Sequence, residues 1–263
     1  MSYNDYVEVI FWNINGLSSL RNQARLLNEL KWDVAILIEV TRESYIELSN
    51  NISFNSSELS LNISNTPNEK KRNLGCAIFI RKSEKFNFSL IDSLPLPERS
   101  IVASSKKRKL DYVGIHIPPG VSWKEIKPKT YIQLEKWLRK NSRKVILGMD
   151  ANAPKFDNPD LEKSVWHWDE EEVILGKNVK HSLVDSYRSY LSKHPNKLKK
   201  ISRLRPDGPL EVSYMRGYAG RVVPCRYDFI LVDKSFDIEK VEYLYQESIA
   251  SGSDHSLVKA NLK

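Results

Sequence analysis

Near the start of the chain Val7, Val9 and Phe11 alternate with Glu8, Ile10 and Trp12, so both sides of the segment are largely apolar. A period of two with apolar residues on each face predicts a strand covered on both sides. Leu20, Ala24, Leu27 and Leu30 then recur at helical spacing and predict an amphipathic helix. The apolar run Val34–Ile38 is short enough for a buried strand, and it ends at Glu39. Residues 50–73 break the pattern. They are rich in Asn, Ser and Lys, contain Pro67, and predict a long irregular connection or an exposed hairpin. Strand-like segments resume at Cys76–Ile80, Ile101–Ala103 and Leu110–Ile117, the last stopped by Pro118-Pro119-Gly120.

Tyr131, Leu134, Trp137 and Leu138 mark a second amphipathic helix, which runs into a strand at Val145–Leu147. Beyond a polar and aromatic stretch containing Trp166-His167-Trp168, further strands are predicted at Asp228–Val232 and Ser256–Leu262. No segment repeats another. Strands outnumber helices and some are covered on both faces. The expected fold class is therefore α/β, one domain over residues 1–263 in which sheet packs on sheet.

Composition narrows the class of molecule. A chain of 263 residues is long enough to bury a full core. With 41% hydrophobic and 28% charged residues, disorder is not the expectation. No apolar run reaches the roughly 18 residues of a membrane span. The opening MSYNDYVEV lacks a basic region followed by an apolar stretch, so no secretory signal is expected and an intracellular location is. Cys76 and Cys225 sit in apolar, strand-like stretches without the spacing of a zinc site. They read as buried free thiols, with a disulfide as the alternative. The net charge is +8, and basic residues gather at Lys106-Lys107-Arg108-Lys109 and at Lys197, Lys199, Lys200, Arg203 and Arg205. That charge suits a polyanion partner and equally a solvated, lysine-rich surface.

Five segments carry the candidate chemistry. Trp12-Asn13-Ile14-Asn15-Gly16-Leu17, Ile38-Glu39-Val40-Thr41, Gly148-Met149-Asp150-Ala151-Asn152 and Arg226-Tyr227-Asp228-Phe229 each sit at the end of a predicted strand. Gly252-Ser253-Asp254-His255-Ser256 precedes the last strand. Strand ends are where side chains distant in sequence converge. Singly each has an ordinary explanation: a turn at Asn15-Gly16, a cap at Asp150, a loop at Asp254.

In this order the five segments resemble the endonuclease/exonuclease/phosphatase superfamily. Its members include exonuclease III-like repair nucleases, deoxyribonuclease I, retrotransposon endonucleases, and inositol-phosphate and sphingomyelin phosphoesterases. The resemblance runs from about residue 7 to residue 261. It implies a deoxyribonuclease I-like, four-layered sandwich of two mixed β-sheets packed face to face and flanked by helices. It also implies a magnesium-dependent phosphodiesterase, with manganese as a substitute; DNA is the leading expectation for its partner, and a monomer is expected.

Residue by residue, Glu39 matches the family's metal-binding glutamate, and Asn15 stands where some members carry a second metal-contacting Asn or Asp. Hard oxygen donors suit magnesium. Asp150 matches the aspartate that aligns or deprotonates the attacking water, Asn152 the amide that holds the phosphate, and Asn13 a residue that orients Asp150. Asp228 matches the aspartate of an Arg-hydrophobic-Asp-aromatic motif, beside the metal or behind the reacting groups. His255 matches the histidine that contacts the scissile phosphate, with Asp254 fixing its tautomer. Tyr214 and Arg216 fall where relatives contact substrate, to stack on a base, grip a phosphate, or pack.

The set is chemically coherent, because phosphodiester cleavage needs an activated water in line with the leaving oxygen and neutralised non-bridging oxygens. Two departures stand out. Met149 is inserted between Gly148 and Asp150, as in retrotransposon-type endonucleases, and leaves Asp150 and Asn152 in register. His116 occupies the place of a tyrosine in exonuclease III-like enzymes, whereas deoxyribonuclease I and the phosphatases have histidine there. It is either a packing residue or one of a catalytic pair with His255, and abasic-site specificity does not follow. A DNA-cutting nuclease, endo- or exonucleolytic, is the leading expectation. A phosphatase or phosphodiesterase acting on a phosphoinositide, sphingomyelin-like or nucleotide substrate is the alternative, and a non-catalytic nucleic-acid-binding relative the third.

Overall fold

The computed structural model describes residues 6–16, 20–64, 73–218 and 220–263. Leu17 and the part of the 50–73 connection around Pro67 lie outside them. Among the described residues the strands are β1 Val7–Asn13, β2 Val34–Val40, β3 Ser56–Leu59, β4 Gly75–Ile80, β5 Phe86–Ser89, β6 Ser100–Ser105 and β7 Leu110–His116. Next come β8 Lys144–Asp150, β9 Leu183–Asp185, β10 Tyr214–Tyr218, β11 Arg221–Cys225, β12 Asp228–Asp233, β13 Ile238–Leu244 and β14 Leu257–Leu262. They form two six-stranded sheets, ordered β13-β14-β1-β2-β4-β3 and β5-β6-β7-β8-β12-β9, with β10-β11 as a separate ribbon.

Each sheet has one parallel pair, β1 with β2 and β7 with β8, and is otherwise antiparallel. The helices Leu20–Glu29 and Ile126–Lys140 make the two crossovers that parallel pairing demands. The alternation read in β1 divides between two cores. Val7, Val9 and Phe11 enter the apolar layer between the sheets, and Ile10 and Trp12 the layer that also contains Ala24 and Leu27 of the first crossover helix. On the other sheet Ile146 and Ile230 face inward, while Leu147, Met149 and Phe229 pack with Tyr131 and Leu134 of the second. The result is four layers, two mixed sheets face to face with helices outside.

Two glycines set how closely the sheets meet. Gly114 and Gly148 are register partners on β7 and β8. A Cβ on Gly148 would lie 2.4 Å from Phe11 Cδ2, and one on Gly114 2.7 Å from Ile36 Cγ2. Side chains of the first sheet fill the space that these glycines leave.

Residues 50–64 are more ordered than their composition suggests. Arg42–Asn51 is a helix started by a Thr41–Ser44 capping box. Ser56–Leu59 adds an edge strand to β4, and Ser60–Ile63 is a helical turn. Cys76 and Cys225 are free and buried. No helix among the described residues is long and apolar enough to cross a membrane.

Candidate active site

The site continues the inter-sheet layer to one end of the sandwich. Register puts His116 beside Asp150 and Asp150 beside Asp228 in one row across β7, β8 and β12. Period two keeps this row on the inner face: Asp150 follows Gly148, His116 follows Gly114, and Asp228 precedes Ile230. Asn13, two residues after Phe11, faces the row from the first sheet. Its Nδ2 donates to Asp150 Oδ2 at 3.1 Å, and Asp150 Oδ1 accepts the Asn152 N–H at 2.9 Å.

Glu39 reaches the same space by a break in the pattern. Ile36 and Ile38 point into the inter-sheet core, so a regular strand would turn Glu39 to the helix side. Instead the register of β2 slips between Ile38 and Val40, and Glu39 has a φ of 57°. A bulge of this kind re-aims a side chain. Asn15 also lies in the left-handed region, and the Gly16 N–H donates to the Glu39 carbonyl at 3.0 Å. A Cβ on Gly16 would lie 2.2 Å from that carbonyl oxygen, so only glycine permits this approach.

His255 is brought in by the segment before β14, where Ser253 Oγ donates to the Asn13 carbonyl at 2.6 Å. Its ring corrects one expectation. Nδ1 lies 2.8 Å from Asp228 Oδ2 and 3.9 Å from Asp150 Oδ2, so Asp228, not Asp254, fixes the tautomer. Neighbouring residues in extended chain project to opposite sides, and Asp254 is exposed while His255 is buried. Asp254 lines the cleft and acts on His255 only through its charge.

The cleft has a volume of about 600 Å³ and gathers Asn15, Glu39, His116, Asp150, Asn152, Tyr214, Asp254 and His255. Asn13 and Asp228 stand behind it, and Arg216 lines an adjoining recess that Tyr214 also borders. Tyr214 stacks on the His255 ring at 4.5 Å and on Tyr227 at 5.8 Å.

Arg99 carried no motif and was not anticipated. It follows Pro97 in a single 3-10 turn, is 8% exposed, and lines the cleft. Its Nη1 donates to His116 Nδ1 at 2.9 Å. That bond leaves the His116 proton on Nε2, 3.4 Å from Glu39 Oε1. Arg226, the first residue of the Arg226-Tyr227-Asp228-Phe229 segment, is 1% exposed. It bonds Asp157 Oδ2 at 2.7 Å and Asp185 Oδ2 at 2.6 Å, fastening the loop after Asn152 behind Asp228.

The two imidazoles are electrostatic opposites. Burial would lower the pKa of His255, but the Asp228, Asp150 and Asp254 carboxylates outweigh it and push the value up to about 10. His116 is held well below the ordinary range by burial, then by the charges of Arg99 and His255, and stays neutral. Burial raises Asp150 to about 7 against the pull of His255, with Asp228 and Glu39 adding to the rise.

Two donor sets bear on a cation. Asp150, Asp228 and His255 offer atoms within 4.8 Å of one another, all buried. An imidazolium already paired with Asp228 supplies the positive charge there, and a protonated ring is no ligand. Glu39 is 22% exposed at its side chain and shares the cleft with Asn15. A carboxylate and an amide oxygen fit a hard cation that keeps part of its hydration.

No family model matches the chain, and no curated protein matches its sequence. Solved structures do match in fold. D. rerio TDP2, complexed with a single-strand DNA product, is 16% identical, with a TM-score of 0.67 over 98% of this chain and 99% of that one. TDP2 from C. elegans is 15% identical, with a TM-score of 0.63 over 98% of this chain and 75% of that one. The Xenopus laevis APE2 catalytic domain is 18% identical, with a TM-score of 0.67 over 97% and 91%. The likeness establishes the fold, two mixed β-sheets packed face to face and flanked by helices.

Proposed function

We propose that this chain is a magnesium-dependent phosphodiesterase that cuts DNA by in-line attack of water. The single observation that carries the reading is the row His116–Asp150–Asp228 facing Asn13, Glu39 and His255 across one cleft. Asp150 accepts the proton of the attacking water, and bonds to Asn13 and Asn152 keep its carboxylate from rotating away. His255, protonated by virtue of Asp228, donates from Nε2 to a phosphate oxygen, and the Asn152 amide supports the same group. His116 holds Glu39 in place and is itself held by Arg99, whose guanidinium adds positive charge to the cleft wall. Magnesium, or manganese in its place, would be held by Glu39 and Asn15 and would supply charge neutralisation on the phosphate. The structure of D. rerio TDP2 with a single-strand DNA product supports DNA as the polyanion.

The test is incubation with labelled plasmid, abasic duplex, single-stranded RNA and a phosphoinositide, each with magnesium, manganese or EDTA. DNA cleavage that needs the cation is the expected result. Full activity in chelator removes the magnesium reading. Turnover of the phosphoinositide alone replaces the nuclease by the small-substrate enzyme.

A further inference from the structure

Across Asn152 and Tyr214 from the cleft lies a second recess of about 280 Å³, with Pro119, Lys127, Trp168, Arg216 and Tyr227 among its walls. Its aromatic floor is rigidly built. The Trp168 indole packs so closely under Gly120 that a Cβ there would lie 2.0 Å from the ring. Lys127, 1% exposed, has its Nζ 4.9 Å from the Trp168 ring centroid and donates to Glu171 Oε1 at 2.6 Å. The same ammonium donates to the carbonyl of Asn152 at 2.7 Å. Glu171 in turn accepts the His167 N–H at 2.9 Å. A buried ion pair thus locks the segment carrying Trp168 to the loop carrying Asn152. Breaking such a pair is costly, and its best-attested use is to fix one arrangement.

Position and chemistry together define an occupant. The recess shares Pro119, Asn152 and Tyr214 with the cleft, so whatever fills it is within one nucleotide of a phosphate held by Asn152. The Trp168 and Tyr227 rings suit a planar aromatic group, and Arg216 at the wall, 3.3 Å from His167 Nε2, offers donors at its edge. His167 therefore belongs to this wall. We propose that the recess receives the nucleobase of a nucleotide adjoining the scissile phosphate, with Trp168 as its stacking surface. This deepens the phosphodiesterase reading and rests on it.

The test compares a defined DNA oligonucleotide with the same strand carrying a ring-less tetrahydrofuran residue beside the cleaved bond. Base–aromatic stacking corresponds to about 5- to 150-fold. Wild-type kcat/KM is expected to fall by a factor in that range on loss of the base. Trp168→Ala is expected to lower kcat/KM for the intact strand by the same factor and to leave the ring-less strand unchanged, while Trp168→Phe retains most activity. Equal losses on both strands, or a ring-less strand cut as fast as the intact one, overturn the proposal. A binding arm in EDTA reads the recess without catalysis. Deoxyadenosine monophosphate is expected to quench tryptophan fluorescence and deoxyribose 5-phosphate is not, with the quench lost in Trp168→Phe. If no DNA is cut, the nuclease reading fails and this arm alone decides. Equal binding of the two compounds, or a quench that survives Trp168→Phe, overturns the recess as a base site.

Discussion

Where β1, β2, β7 and β8 begin, charges meet their opposites in partly buried pairs: Lys82 with Asp33 at 3.4 Å, Arg108 with Glu84 at 3.0 Å, Lys259 with Glu8 at 3.8 Å. Where the same strands end, Asp150, Asp228 and His255 are each less than a tenth exposed, and acids crowd one another. The first set keeps part of its contact with water, and each charge there has an opposite partner. The second set has lost its water, so neighbours decide each protonation state. The same residue types are therefore balanced pairs at one end of the sandwich and groups with shifted protonation at the other.

The comparison is most easily broken at Asp150. Asp150→Asn keeps the shape and removes the proton acceptor, and kcat is expected to fall toward the upper end of the 10²–10⁴-fold range of acid–base catalysis. Steady-state rates check it, and near-normal turnover would relocate the chemistry. Asp228→Asn is expected to cost about 10²-fold, because His255 loses its main counter-charge. An imidazole titration by NMR should then show the His255 pKa falling from about 10 toward the ordinary value.

A milder probe is pH. Asp150 acts as its carboxylate and is raised to about 7, so kcat/KM should rise with pH, about tenfold per unit below 7, and then level. It should decline again as His255 deprotonates near 10. A profile flat from pH 5 to 8 would show that Asp150 is not the group that titrates.

The smallest effect belongs to the opposite end. Lys106-Lys107-Arg108-Lys109 caps the start of β7, and seven residues of strand put it roughly 20 Å from His116. Replacing all four with serine should change kcat/KM by less than about twofold, and the salt slope of DNA affinity should hold. A slope flattened by several units would mean that DNA wraps to the far end of the sandwich.

Much of this was legible because it depends on period two. Val7–Phe11, Val34–Ile38 and Leu110–Ile117 declare two-sided strands by their letters, and the motifs fall at strand ends. Other features have no local signal. Ile238–Leu244 pairs with β14, yet its Glu239 and Lys240 are exposed, so it reads as surface. The bulge that turns Glu39 inward is a backbone event that the run Ile38-Glu39-Val40 does not announce. Arg99 reaches the site through tertiary packing from a turn that has no motif. Arg226 meets partners 69 and 41 residues away, and only the folded chain brings those charges together.

The glycine pair carries a last consequence for how this chain compares with others. In the usual motif glycine adjoins the aspartate, so the two would face opposite ways on a strand; here Gly148 and Asp150 face the same way. As letters the two glycines look equivalent, but parity makes them different parts. Deleting Met149 would make the text of this protein more ordinary. It would also carry the aspartate into the place Met149 holds against Tyr131 and Leu134, away from Asn13 and His255. An editor guided by resemblance alone would thus silence the protein by correcting its spelling.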